Sequence, residues 1–64
     1  MNEELAYREA DGIEVSLLWA RADGSLTVVC ADTRTGDWFA LTPEPATALD
    51  VFYHPYAYAA RAAA

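Results

Sequence analysis

Apolar and polar positions alternate through the first half of the chain. Ile13, Val15, Leu17 and Trp19 are interleaved with Glu14, Ser16, Leu18 and Ala20. Leu26, Val28 and Cys30 are interleaved with Thr27, Val29 and Ala31. A period of two sends successive side chains to opposite faces of a strand, so both stretches read as half-buried antiparallel strands. Asp11-Gly12 and Asp23-Gly24 interrupt the pattern, and Thr33 to Asp37 ("TRTGD") interrupts it again before "WFALT". Asp-Gly between apolar runs is a hairpin signal, because glycine accepts the positive φ that a tight turn needs. The strands fall at about 5–10, 13–21, 25–33 and 37–42. The first is the weakest and is placed at a sheet edge, where its charges discourage edge-to-edge pairing.

The pattern also bears on register. A two-residue turn at Asp23-Gly24 pairs Trp19 with Val28 and Leu17 with Cys30, so that the stronger apolar faces coincide. A bulged three-residue turn pairs Leu18 with Val28 instead, and one residue of slip exchanges faces. The first arrangement is preferred. In the third hairpin, loops of two or four residues both put Phe39 and Leu41 on the side of Val28 and Cys30. A bulged Ala10-Asp11-Gly12 turn would align Leu5 and Tyr7 with Leu17 and Val15.

At "TPEPATALDVFYHP" the period changes. Thr42 can cap a helix with Pro43 at its first position, or Pro45 can take that position. Either choice uses proline where its missing N–H is harmless. Leu49, Phe52, Tyr53 and Tyr56 follow at the spacing of a helical stripe, and Pro55 ends or kinks the helix at His54. The helix spans about 43–54 and a tail runs from 55 to 64. The expected fold is therefore α+β, a three- or four-stranded antiparallel meander with a C-terminal helix on one face, forming one small domain over residues 1–64. The other face carries Leu18, Val29 and Trp38 among small residues. That is too apolar to be comfortably wet, so either the tail or a second chain covers it.

Composition narrows the functions. A domain of 64 residues has a marginal core, and with one cysteine no internal disulfide can support it. Self-association is the expected remedy. The net charge of −6, with no lysine, argues against nucleic-acid binding. No apolar run approaches the length of a membrane span, and the acidic N-terminal stretch is unlike a signal peptide. The unpaired cysteine suits the cytoplasm. Cys30 and His54 have no partner spacing for a metal, and no phosphate-loop or dinucleotide motif implies a cofactor.

The remaining chemistry lies in "DVFYHPYAYAA", Asp50 to Ala60. Asp50 and His54 share a helix face at i, i+4, which is half of a hydrolytic triad or an ordinary helix-end pair. No nucleophile accompanies them. Cys30, mid-strand on the core face, reads as a small hydrophobe. Tyr53 and Tyr56 read as core closure, while Tyr58, beyond the proline, is placed to reach another chain.

"LTVVCADTRTGDWFAL" followed by "ALDVFYHPYAYAA" resembles a group of small uncharacterised actinobacterial proteins with a "D..TG..F.L" hairpin and an "ALDVF.HPYAY" ending. The resemblance spans roughly Gly12 to Ala60 and implies a stand-alone small bacterial protein. The group has no assigned activity, so it supplies no catalytic or binding residue.

The sequence thus points to a small acidic soluble protein, a non-enzymatic interaction or regulatory module. It is expected to self-associate as a homodimer or to accompany a larger protein, through Leu18, Val29, Trp38, Tyr56 and Tyr58. The alternative is a small-molecule binder or minor hydrolase using Asp50, His54 and the tyrosines.

Overall fold

The computed structural model describes residues 2–63, with side chains over 3–60. Met1 and Ala64, the ends of the expected domain, lie outside the described residues. Four strands, β1 (Asn2–Ala10), β2 (Ile13–Ala20), β3 (Leu26–Asp32) and β4 (Trp38–Leu41), form one antiparallel sheet in the order β1-β2-β3-β4. A 3₁₀ turn (Pro45–Thr47), helix α1 (Ala48–Tyr53) and helix α2 (Pro55–Ala63) follow. The α+β meander expected from the alternation is the observed architecture.

The first hairpin differs from the expected one. Asp11 and Gly12 both have positive φ, 54° and 81°, and form a two-residue turn that pairs Ala10 with Ile13. The bulge lies instead further along β1, between Glu4 and Ala6. Ala6 and Arg8, rather than Leu5 and Tyr7, therefore face Leu17 and Val15. One residue of slip moves a strand's whole side-chain set across the sheet. Tyr7 goes to the far face and Arg8 comes to the core side.

The second and third turns share one geometry. The Ala20 N–H donates to the Ser25 carbonyl at 2.9 Å, and the Gly24 N–H donates to the Ala20 carbonyl at 2.8 Å. The Asp32 N–H donates to Asp37 and the Gly36 N–H to Asp32, each at 2.8 Å. Each loop thus holds four residues between its closing pair. Neither sequence-based pairing of β2 with β3 is the observed one, because Trp19 lies opposite Leu26 and Leu17 opposite Val28. Relative to the preferred pairing the slip is two residues, which preserves the faces. In the third hairpin Val28 pairs with Leu41 and Cys30 with Phe39, as the pattern required.

Val15, Leu17, Val28 and Cys30 from the strands bury against Ala48, Val51 and Phe52 of α1. The helical segment begins at Pro45, the second of the two expected starts, as a 3₁₀ turn that passes into α1 at Ala48. Its buried stripe is one residue earlier than expected. Ala48, Val51, Phe52 and Pro55 are buried, whereas Leu49 is 60% exposed and Tyr53 and Tyr56 are exposed too. Both phases have i, i+3, i+4, i+7 spacing, so periodicity alone does not choose between them.

The expected tail is largely α2. His54, at φ −134° and ψ 54°, breaks the helical path between the two helices, as the following proline dictates. Helix α2 turns back over β4, where Phe39 and Tyr56 meet edge to face with ring centroids 5.4 Å apart. Both helices therefore lie on the same side of the sheet.

Candidate functional site

The five residues expected to form one interaction surface divide between opposite sides of the sheet. Leu18, Val29 and Trp38 lie on the face away from the helices, with Trp38 69% exposed and no described residue of this face buried. Pairing brings Val29 beside Ser16 and Ala40, Leu18 beside Thr27 and Glu4, and Trp38 beside Ala31. The half over β3 and β4 carries Val29, Ala31, Ala40 and Trp38, with Thr27 at its end. The half over β1 and β2 carries Glu4, Glu9 and Glu14, and Tyr7 donates its hydroxyl to Glu14 at 2.7 Å. That bond, made to a carboxylate in an acidic neighbourhood, raises the Tyr7 phenol to about 12.

The two tyrosines of the original set lie on the helix side. The Tyr56 phenol hydrogen-bonds with the buried Cys30 thiol, which raises its pKa. Tyr58 packs against the core and donates its hydroxyl to the Asp50 carboxylate. Its reach towards another chain was inferred from an extended tail. The helical turn after Pro55 folds it back instead.

Asp50 and His54 do not form the expected side-chain pair. The His54 backbone N–H donates to the Asp50 carbonyl at 2.9 Å, while the Asp50 carboxylate receives Tyr58. No hydrogen bond joins the His54 imidazole to a described residue. Ser16 lies on the far face, Ser25 in a turn, and Cys30 is 1% exposed. The Asp50–His54 side-chain pairing of the hydrolase alternative is therefore not formed among the described residues.

His54 instead lines a cleft of about 380 Å³ with Arg8, Asp11, Ile13, Tyr53 and Tyr56 among its walls. The role of Arg8 was not anticipated. Its Nε and Nη2 donate to the Phe52 carbonyl at 3.2 and 3.0 Å, and Nη2 also reaches the Tyr53 carbonyl at 3.2 Å. The guanidinium lies 5.6 Å from the Phe52 ring centre and 5.9 Å from that of Tyr53. A cation bonded to the last carbonyls of a helix satisfies orphan acceptors and complements the negative end of the dipole. The signal available in sequence was an arginine among acidic residues in an edge strand, which fits a solvated position equally well.

Among the described residues no group of three or more histidine, cysteine or acidic side chains is placed to hold a metal, and no helix is long and apolar enough to cross a membrane. No protein family, curated protein or solved structure matches the chain.

Proposed function

We propose that the protein is a non-enzymatic interaction or regulatory module that self-associates face to face through the uncovered side of its sheet. The observation that carries this reading is the placement of both helices on the opposite side. Once α2 is committed there, it leaves Leu18, Val29 and Trp38 without a cover from the described chain. The shortest extent of the fold is 16 Å, about the thickness of one sheet and one helical layer.

The occupant that fits is a second copy. Four strands spaced about 4.8 Å apart, with about seven residues of about 3.3 Å rise each, give a face of roughly 450 Å² before side-chain relief. With the β3–β4 halves overlapped, about half of each face is covered, on the order of 500 Å² for the two copies together, at the small end of interfaces. A two-fold axis over the β3–β4 half brings apolar patches together and keeps the acidic β1–β2 halves at opposite rims, an isologous arrangement. Arg8 faces the helices, and Arg21 and Arg34 lie in turns, so no described arginine interrupts the patch. An interface of this size falls in the weak, transient class.

Light scattering over a concentration series is the test, with Val29→Glu as the comparison. Mass rising towards twice that of the monomer, and its loss in Val29→Glu with unchanged circular dichroism, supports the reading. A monomer at every concentration up to the millimolar range overturns it.

A further inference from the structure

The cleft on the helix side has a separate chemistry from the bare sheet face. It opens between the tip of the first hairpin and the junction of α1 with α2. Arg8 forms one wall, Ala10 and Ile13 lie beneath, and Tyr53 to Ala57 form the other side. Arg8 spends Nε and Nη2 on helix carbonyls, while Nη1 makes no hydrogen bond to a described residue. A guanidinium keeps its charge across the accessible pH range, and its clamped planar fork restricts the directions in which Nη1 can donate. The His54 imidazole, from the α1–α2 junction, contributes a second polar group that makes no hydrogen bond to a described residue. The rings of Tyr53 and Tyr56 supply flat apolar surface beside them.

We propose that this cleft binds a small aromatic monocarboxylate. Its carboxylate would accept hydrogen bonds from Arg8 Nη1 and the His54 ring N–H, and its ring would lie against Tyr53 and Tyr56. Three features select this class. A fixed guanidinium repels cationic ligands and favours a carboxylate through charge-assisted hydrogen bonding. Asp11, the one carboxylate among the described residues lining the cleft, and the net charge of −6 disfavour a dianion such as a phosphate ester. A volume of about 380 Å³ accommodates a one- or two-ring body, within the size range of small-ligand pockets. The cleft and the bare sheet face are on opposite sides of the sheet, so this inference is independent of self-association.

The test is an NMR titration of the full chain with 2-naphthoate, and with 2-naphthamide as its neutral counterpart. Saturable shifts confined to the Arg8 Nε–H, the His54 ring and the Tyr53 and Tyr56 rings are expected, with the amide weaker by about tenfold or more. His54→Ala, at an exposed position outside the core, should weaken naphthoate several-fold, whereas Trp38→Ala on the far face should leave it unchanged. Arg8→Lys should weaken it further. If that variant unfolds, His54→Ala still decides the question. Equal affinity for acid and amide, non-saturating shifts spread over the surface, or unaltered affinity in His54→Ala would each overturn the site.

Discussion

Arg8 and Phe52, separated by 44 positions, are joined by two N–H···O bonds from the guanidinium to the Phe52 carbonyl. The contact ties an edge strand to the end of the helix that covers the core. It lies beside the buried stripe Ala48, Val51 and Phe52 that seats α1 on the strands. Replacing Arg8 with alanine leaves the Phe52 and Tyr53 carbonyls without their charged donor. The expected cost is about 1.5–3 kcal/mol, given the usual strength of hydrogen bonds to charged groups. Urea denaturation should show a lower midpoint with an unchanged slope. A midpoint matching the parent would mean that water replaces the clamp without penalty.

Gly12 and Gly24 both have positive φ, 81° and 71°, but their surroundings differ. A Cβ at Gly24 meets nothing within 4 Å, while one at Gly12 comes within 2.9 Å of Arg34 Cγ. Gly24→Ala should cost about 1–2 kcal/mol, the left-handed conformational term alone. Gly12→Ala should cost more, since Arg34 must also move from its pairing with Asp32 at 3.1 Å. Thermal unfolding of the two variants in an Arg34→Ala background makes the comparison. The difference between the glycines should shrink there, and its persistence would point to the turn backbone instead.

Trp38 contributes little to the isolated fold because most of its side chain is exposed. Trp38→Ala should change unfolding free energy by no more than about 0.5 kcal/mol, the ordinary range for surface positions. The same substitution should raise the dimer Kd by about tenfold, as loss of a central aromatic anchor does. Sedimentation equilibrium and chemical denaturation measured on one preparation separate the effects. A large stability loss without a change in association would assign Trp38 to the fold.

Asp50 and His54 should act independently. Their side chains do not hydrogen-bond, and Asp50 instead receives Tyr58. A double-mutant cycle with Asp50→Asn and His54→Ala should be additive in stability to within about 0.5 kcal/mol. A larger coupling would restore the side-chain pair.

Two aspartates set the acid response of the turns. Arg34, through its guanidinium and then its backbone N–H, holds the Asp32 carboxyl below its ordinary 3.8, and the Ser25 N–H does so for Asp23. A depressed folded pKa contributes stability above the unfolded pKa, and that contribution is lost as pH falls through the folded value. Melting temperature should therefore decline below about pH 4, less steeply in a variant with both Asp23→Asn and Asp32→Asn. At the alkaline end the sign reverses. The Tyr7 pKa, pushed up to about 12, contributes stability that is fully present below 10 and lost as pH rises through 12. Tyrosinate absorbance should show this late titration in the parent and lose one tyrosine's share of it in Tyr7→Phe, the raised Tyr56 remaining.

The alternation from Ile13 to Ala31 determined which residues share a face, since side-chain parity is a local property of an extended chain. It therefore placed Val15, Leu17, Val28 and Cys30 together, and Leu18, Val29 and Trp38 opposite them. Loop length was not legible. Two- and four-residue loops give the same parity, and only the paired backbone bonds that close the second turn separate them. Helix rotation was ambiguous for a similar reason, because Ala48-Val51-Phe52-Pro55 and Leu49-Phe52-Tyr53-Tyr56 obey one spacing. The tertiary structure took the first, burying Ala48, Val51 and Phe52 against Val15, Leu17, Val28 and Cys30 of the strands. It also put Tyr56 and Tyr58 on the core side, since the direction taken after Pro55 depends on what α2 can pack against. Strand positions and the faces of β2, β3 and β4 follow from neighbours in sequence, whereas loop lengths and the faces of β1 do not. The cleft and the bare face arise only when distant elements meet.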